Sequence, residues 1–359
     1  MIVLLTVSLL ATFLTFLEGK GKLRNGMLYG FVILMVVISV RDHYGNDFEN
    51  YLDWFNDILK SNAGPSKILS KDFLYGRDNG WSFLYYLFSP FSFNAFVAFT
   101  SIFSSMVFYH FIKNNVQKGR RWLAVFIYLF TFQIFVLDLS MMRHAFAISL
   151  FIIAYKYISN GKLLIPFLII LVAMTIHSSA IILFPFLFIS KIRYKNNKIL
   201  ACILASIYVL CIPLAKYSAN ILSQLSLISS LENFTETYVN HEQELSVGIG
   251  YIVMHIPFVL YIFYLWNNLV SPKMGGAIVM SCIPFFLLAF KEIPMLDRLG
   301  YYFVVFSIIA LPLVFSSIRM RLRIPLLMAY ILVTMHSYFN FFTSPIWSDK
   351  FLVYRTIFG

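Results

Sequence analysis

Leu139–Ile158 opens Ser140-Met141-Met142-Arg143-His144-Ala145-Phe146-Ala147-Ile148-Ser149, an apolar run of membrane-helix length with an arginine near its start. A full charge in or beside hydrocarbon costs about 2.5–3.5 kcal/mol or more, so such residues generally carry a function. The bland alternative is a side chain close enough to the helix end to snorkel to the interface. The rest of the chain has to choose between them.

Apolar runs of about 15–22 residues recur from end to end, close to the length that crosses a bilayer. Over 359 residues the chain is 60% hydrophobic and only 12% charged, with a mean hydropathy of +0.79. These values predict an all-α, polytopic integral membrane protein and exclude a soluble domain. A β-barrel is excluded too, because its strands would alternate apolar and polar residues. The first run, Met1–Leu17, lacks a basic leader and a small-residue cleavage site, and reads as a retained span. Cys202, Cys211 and Cys282 all lie in apolar runs and form neither a disulfide framework nor a thiolate metal site.

The net charge of +12 is unevenly distributed. One set of connections, from Lys20–Arg24 through Lys113–Arg121, Lys156–Lys162, Lys191–Lys198 and Lys273 to Arg319–Arg323, holds 17 basic residues and a single acid, Glu18. The alternate connections hold the other 11 basic residues and 15 acids. This is the positive-inside pattern, with basic loops cytoplasmic and the longer acidic loops outside. Basic residues scattered over short loops do not suit nucleic acid.

The predicted spans are Ile2–Leu17, Met27–Val40, Ala95–Ile112, Trp122–Leu137, Leu139–Ile158, Ile199–Ala215, Ile249–Leu269, Ala277–Phe290, Leu299–Phe315 and Pro325–Phe342. With partial helices this makes about 10–12 membrane elements, each near the bilayer-crossing length, in a single domain over residues 1–359. Outer loops are expected at 41–80 and 216–247. In the first, Asp47 caps a helix running to about Lys60. Its apolar stripe is Phe48, Tyr51, Leu52, Phe55, Ile58 and Leu59, at helical spacing. Gly80 then opens a short apolar segment, Trp81–Phe91, expected to dip in as a partial helix.

Leu163–Ile189 is apolar throughout but has cytoplasmic-type lysines, Lys162 and Lys191, at both flanks. A single span would separate the flanks, and two full spans need about 40 residues. The polar break His177-Ser178-Ser179 resolves this as two short helices meeting at His177. Non-helical backbone at that depth must be buried in protein or line a wet cavity.

No phosphate loop, zinc motif or Cys/His ligand set occurs, so no cofactor and no metal is expected. What recurs is arginine at outward-facing helix ends: Arg41, Arg143 and Arg298, with His177 at an outward-facing break. Guanidinium groups offer paired donors that match phosphate oxygens. Such a set suits the pyrophosphate of a polyprenyl carrier, and His177 could take a proton from an incoming hydroxyl.

At these residues the chain resembles the EpsG/Wzy-like family of bacterial polysaccharide polymerases. The matching pieces are Arg41…Gly45-x-Asp47-x-x-x-Tyr51, Met142-Arg143-His144 (usually Met-Arg-Gln), His177-Ser178-Ser179-Ala180 and Arg298…Tyr302. The resemblance implies a GT-C-like, metal-independent glycosyltransferase of the bacterial inner (plasma) membrane, with its site facing the periplasm or outside. It implies polymerisation of undecaprenyl-pyrophosphate-linked repeat units into an O-antigen, capsule or exopolysaccharide. Membrane lipid, a chain-length regulator and the pathway's flippase are the implied partners. Carried onto this chain, Arg143, His177 and Asp47 are the expected catalytic residues. Arg41, Arg298, Tyr51, Ser178 and Tyr302 are the expected substrate contacts. A flippase of lipid-linked oligosaccharide and a glycan ligase remain alternatives, since both would bind the same pyrophosphate.

Overall fold

The structure is a computed structural model that describes residues 1–61, 64–68, 78–191, 196–225, 255–288, 290, 296–345 and 347–358. Among the described residues the regular structure is helical, with one isolated bridge, Arg41 with Thr356. Among the described residues, four helices are long and apolar enough to cross a membrane: Ile2–Gly19, Phe93–Asn115, Asn197–Leu214 and Met320–Thr343. Several shorter apolar helices accompany them. The chain is an all-α polytopic membrane protein.

By internal contacts it divides into two compact units, Met1–Lys191 with Met320–Gly359, and Ile192–Arg319. The first unit begins with α1 (Ile2–Gly19) and α2 (Gly26–Ser39), packed on each other. The outer segment supplies α3 (Phe48–Ser61), α4 (Pro65–Ile68) and α5 (Asn79–Phe88). Then come α6 (Phe93–Asn115), α7 (Arg121–Phe130), α8 (Phe132–Ser140), α9 (Met142–Ile158) and α10 (Leu164–Ile176). A 3-10 helix over Ser178–Lys191 follows α10. The second unit holds α11 (Asn197–Leu225), α12 (Ile256–Asn267), α13 (Pro272–Leu288), α14 (Leu296–Leu299), α15 (Tyr301–Val304) and α16 (Ser307–Ser317). The chain returns to the first unit with α17 (Met320–Thr343), which packs on α7 and α8, and α18 (Ser348–Phe351).

Three of the predicted spans and one loop boundary differ from expectation. The predicted span Trp122–Leu137 is broken at Thr131, where Lys118–Phe130 and Ile134–Ser140 bend by 54°. The predicted span from Leu139 instead begins at Met142, because Leu139 and Ser140 complete α8. The predicted span Leu299–Phe315 is divided into α15 and α16. The second outer loop also starts later than Lys216, since α11 continues to Leu225; the remainder of that loop, 226–247, lies outside the described residues.

The break at His177 is where the sequence places it. His177 ends α10 in an extended conformation, φ −150° and ψ 113°. The return arm is wound as a 3-10 helix of 14 residues. At about 2.0 Å per residue that arm is roughly 28 Å long. The 13 residues of α10 cover about 20 Å at ~1.5 Å each. Tighter winding therefore makes the second arm longer than the sequence count implies.

The outer helix α3 also forms as expected, over Phe48–Ser61. Phe48, Tyr51, Phe55 and Ile58 of the stripe are buried, Leu52 is partly buried and Leu59 is 40% exposed. The buried face joins Trp81 and Tyr85 of α5, Phe93 and Phe96 of α6, Met142 and Phe146 of α9 and Ile176 of α10 in one cluster. Its rings meet mainly edge to face, as at Phe55–Tyr85 (5.5 Å, 88°) and Trp81–Phe96 (5.0 Å, 83°), the arrangement aromatic quadrupoles favour. This cluster fastens the outer segment to the starts of α6 and α9.

Candidate functional site

Two glycines bring the site together. Gly45 has φ +114°, and a Cβ there would stand 2.5 Å from the Leu139 carbonyl oxygen. The segment around it is thereby laid on the α8–α9 turn, and the Asn46 N–H donates to Ser140 Oγ at 3.2 Å. Gly80 lies against Thr175, whose Cβ would be 2.8 Å from an added Cβ. The start of α5 is thus set against the end of α10, just before His177.

Between these anchors, Arg143 at the second residue of α9 does not extend to solvent. Its Nη1 pairs with Asp78 Oδ2, with side-chain exposures of 23% and 9%. On another side its guanidinium lies 4.4 Å from the Trp54 ring centroid and 5.8 Å from that of Tyr51. The Tyr51 hydroxyl accepts from the Arg143 backbone N–H at 3.5 Å, and Tyr51's own carbonyl accepts from Tyr85 at 3.1 Å. Burial pushes the Tyr51 hydroxyl pKa up, and the neighbouring Arg143 charge offsets part of that.

Asp78 holds a second partner. Its Oδ1 accepts the Ser178 backbone N–H at 3.1 Å. That N–H stands at the N-terminus of the 3-10 helix, where backbone donors lack intrahelical partners and negative charge is favoured. The ion pair therefore ties α9 to the His177 break. At the break, His177 Nδ1 shares a hydrogen bond with Ser179 Oγ at 2.6 Å. The His177 ring lies 4.7 Å, centroid to centroid, from that of His144, which is 1% exposed.

Of the residues expected from sequence, Arg143, His177, Ser178 and Tyr51 are brought together. Asp47 sits at the head of α3, half-buried; its carbonyl accepts the Tyr51 N–H at 3.1 Å, and its Oδ1 accepts from Asn46 at 3.1 Å. Arg41 is placed elsewhere. It is 1% exposed, and its guanidinium donates to the Ile38 carbonyl (2.8 Å), Ser101 Oγ and the Asp138 carbonyl (3.3 Å). Through these bonds it ties the end of α2 to α6 and α8. Arg298 and Tyr302 belong to the second unit, Arg298 exposed on α14 and Tyr302 buried on α15, which packs against α13.

Sequence reasoning missed Asp78, Trp54 and His144 as neighbours of Arg143 and His177. For Asp78 a signal existed: Asp78-Asn79-Gly80 ahead of an apolar run has the form of a helix start. Trp54 lay off the apolar stripe, and His144 stood only as a departure from the Met-Arg-Gln pattern.

The arrangement combines a fixed cation, a histidine hydrogen-bonded to the half-buried Ser179, and an aromatic roof. It can bind an anionic group and accept a proton beside it. No curated protein and no solved structure matches the chain. The EpsG family model matches residues 27–356, nearly the whole length, and the chain belongs to the EpsG family.

Proposed function

We propose that the protein polymerises undecaprenyl-pyrophosphate-linked oligosaccharide repeat units into an O-antigen, capsule or exopolysaccharide, on the outer face of the bacterial inner membrane. Membership of the EpsG family, a Wzy-like polysaccharide polymerase family, carries the general role. The chemistry rests on one observation: Arg143, held by Asp78, stands beside the His177 break.

In this reading Arg143 binds a pyrophosphate oxygen of the donor. A hydroxyl of the acceptor sugar attacks the donor's anomeric carbon. The anomeric carbon–oxygen bond breaks, and its electron pair leaves with the lipid pyrophosphate. Arg143 stabilises that developing charge, which is the role expected of a preorganised cation, and no metal is called on. The hydroxyl proton passes to His177 Nε2, in the tautomer whose Nδ1–H donates to Ser179 Oγ. Asp47 and Tyr51, at the head of α3, orient the acceptor. Arg298 keeps its expected part in substrate contact, to be tested by Arg298→Ala in the assay below. Arg41 is assigned to the internal scaffold.

Deleting the gene and analysing lipid-linked intermediates tests the reading. Single repeat units should accumulate on the outer face of the membrane. Accumulation on the cytoplasmic side would make the protein a flippase; accumulation of long polymer still linked to the lipid would make it a ligase.

A further inference from the structure

We infer that Asp78 is a positioning residue, holding the Arg143 guanidinium at a set spacing from His177; this rests on the polymerase reading above. The carboxylate spends its two oxygens on two different elements, Oδ2 on Arg143 of α9 and Oδ1 on the Ser178 N–H of the return arm. It does so at the expense of its local role. Asp78 occupies the N-cap of α5, where an aspartate ordinarily accepts from the helix's own first N–H groups. Here it makes no such bond, and its backbone is left-handed, φ 61° and ψ 45°. A side chain other than glycine is strained in that region, and such strain collects where the surrounding structure demands a particular side-chain placement.

The bracket is itself anchored. Gly80, two residues on, lies against Thr175 near the end of α10, so the start of α5 cannot slide along it. Trp81, the next residue, is 2% exposed inside the aromatic cluster. Asp78 is therefore fixed from the C-terminal side by packing. The guanidinium is held between this carboxylate and the Trp54 ring. Without Asp78, a long flexible cation at a helix start is free to turn toward water. With it, the charge that meets the leaving pyrophosphate and the ring that takes the proton keep one geometry. Displacements of about 1 Å at a reacting centre cost up to ~100-fold in rate.

The test uses the full-length protein in membranes of a strain lacking the gene, with single repeat units on undecaprenyl pyrophosphate extracted from that strain as substrate. Asp78→Asn, Arg143→Lys and the double variant are compared per folded molecule, the folded amount being read by size-exclusion chromatography. Asp78→Asn should lower the maximal rate by about 10–100-fold while shifting half-saturation less. The double variant should be no slower than Arg143→Lys alone, within roughly twofold, because Asp78 acts through Arg143. A merely structural Asp78 would reduce the folded amount and leave the rate per molecule intact, which overturns the inference. Losses that multiply in the double variant overturn it as well. Should Asp78→Asn fail to fold, Asp78→Glu keeps the charge on a longer arm; a wild-type rate in that variant overturns the inference. Wild-type rates in Arg143→Lys and Arg143→Ala would overturn the site reading itself, apart from anything said of Asp78.

Discussion

At the residue scale, Gly45 and His43 show how the outer segment is locked. Gly45 combines φ +114° with a backbone oxygen where a Cβ would stand. Gly45→Ala should destabilise the protein by about 1–3 kcal/mol, a strained-backbone cost, visible as a lower melting temperature in detergent; an unchanged melting temperature would contradict this packing. His43 shares a hydrogen bond of 2.6 Å with Glu49, and that bond raises the imidazole pKa. A raised folded-state pKa stabilises fully below the unfolded value and loses its contribution as pH rises through the folded value. The side chains are 44% and 51% exposed, so the effect stays below about 1 kcal/mol. His43→Gln should therefore lower the melting temperature at about pH 5.5 and leave it little changed at about pH 9. The opposite ordering would show that the pair is not formed in solution. None of this pairing was legible beforehand. Arg143 and Asp78 stand 65 residues apart, and sequence spacing carries no information on whether two such side chains meet.

At the element scale, legibility follows contrast. Helix α3 lies in a polar stretch, so its apolar positions stand out at helical period, and its ends fall within a residue of expectation. The break at His177 was legible for the complementary reason: three polar residues interrupt an apolar run. The α8–α9 boundary was not. Between Leu139 and Met142 only Ser140 is polar, and neither glycine nor proline marks the turn. The same holds at the 54° bend between Phe130 and Ile134, where Thr131 and Gln133 are the polar residues and neither glycine nor proline occurs. Because α3 is held by its buried stripe, Phe55→Ala, at 2% exposure, should cost about 3–5 kcal/mol and expose α3 to protease. Leu59→Ala, at 40% exposure, should stay within about 0.5 kcal/mol. Equal effects at the two positions would mean that α3 does not pack on α5 and α6.

At the scale of the whole molecule, the membrane class was legible in bulk composition, and the division into two compact units was not. Composition counts apolar residues without recording which of them touch. The charge asymmetry predicts orientation, with the head of α3 outside and the α6–α7 connection inside. In a variant lacking Cys202, Cys211 and Cys282, a cysteine placed at Glu49 should react with an impermeant thiol reagent on intact cells. One placed at Lys118 should react only after permeabilisation. The reverse pattern would invert the topology and remove the outward site.

The central claim is that Arg143 beside His177 carries polymerisation. Its most direct measurement is the lipid-linked pool and surface glycan of a deletion strain complemented with Arg143→Ala, at matched levels of membrane-inserted protein. The account predicts single repeat units on the outer face and loss of long glycan. Normal glycan length from that variant would contradict it.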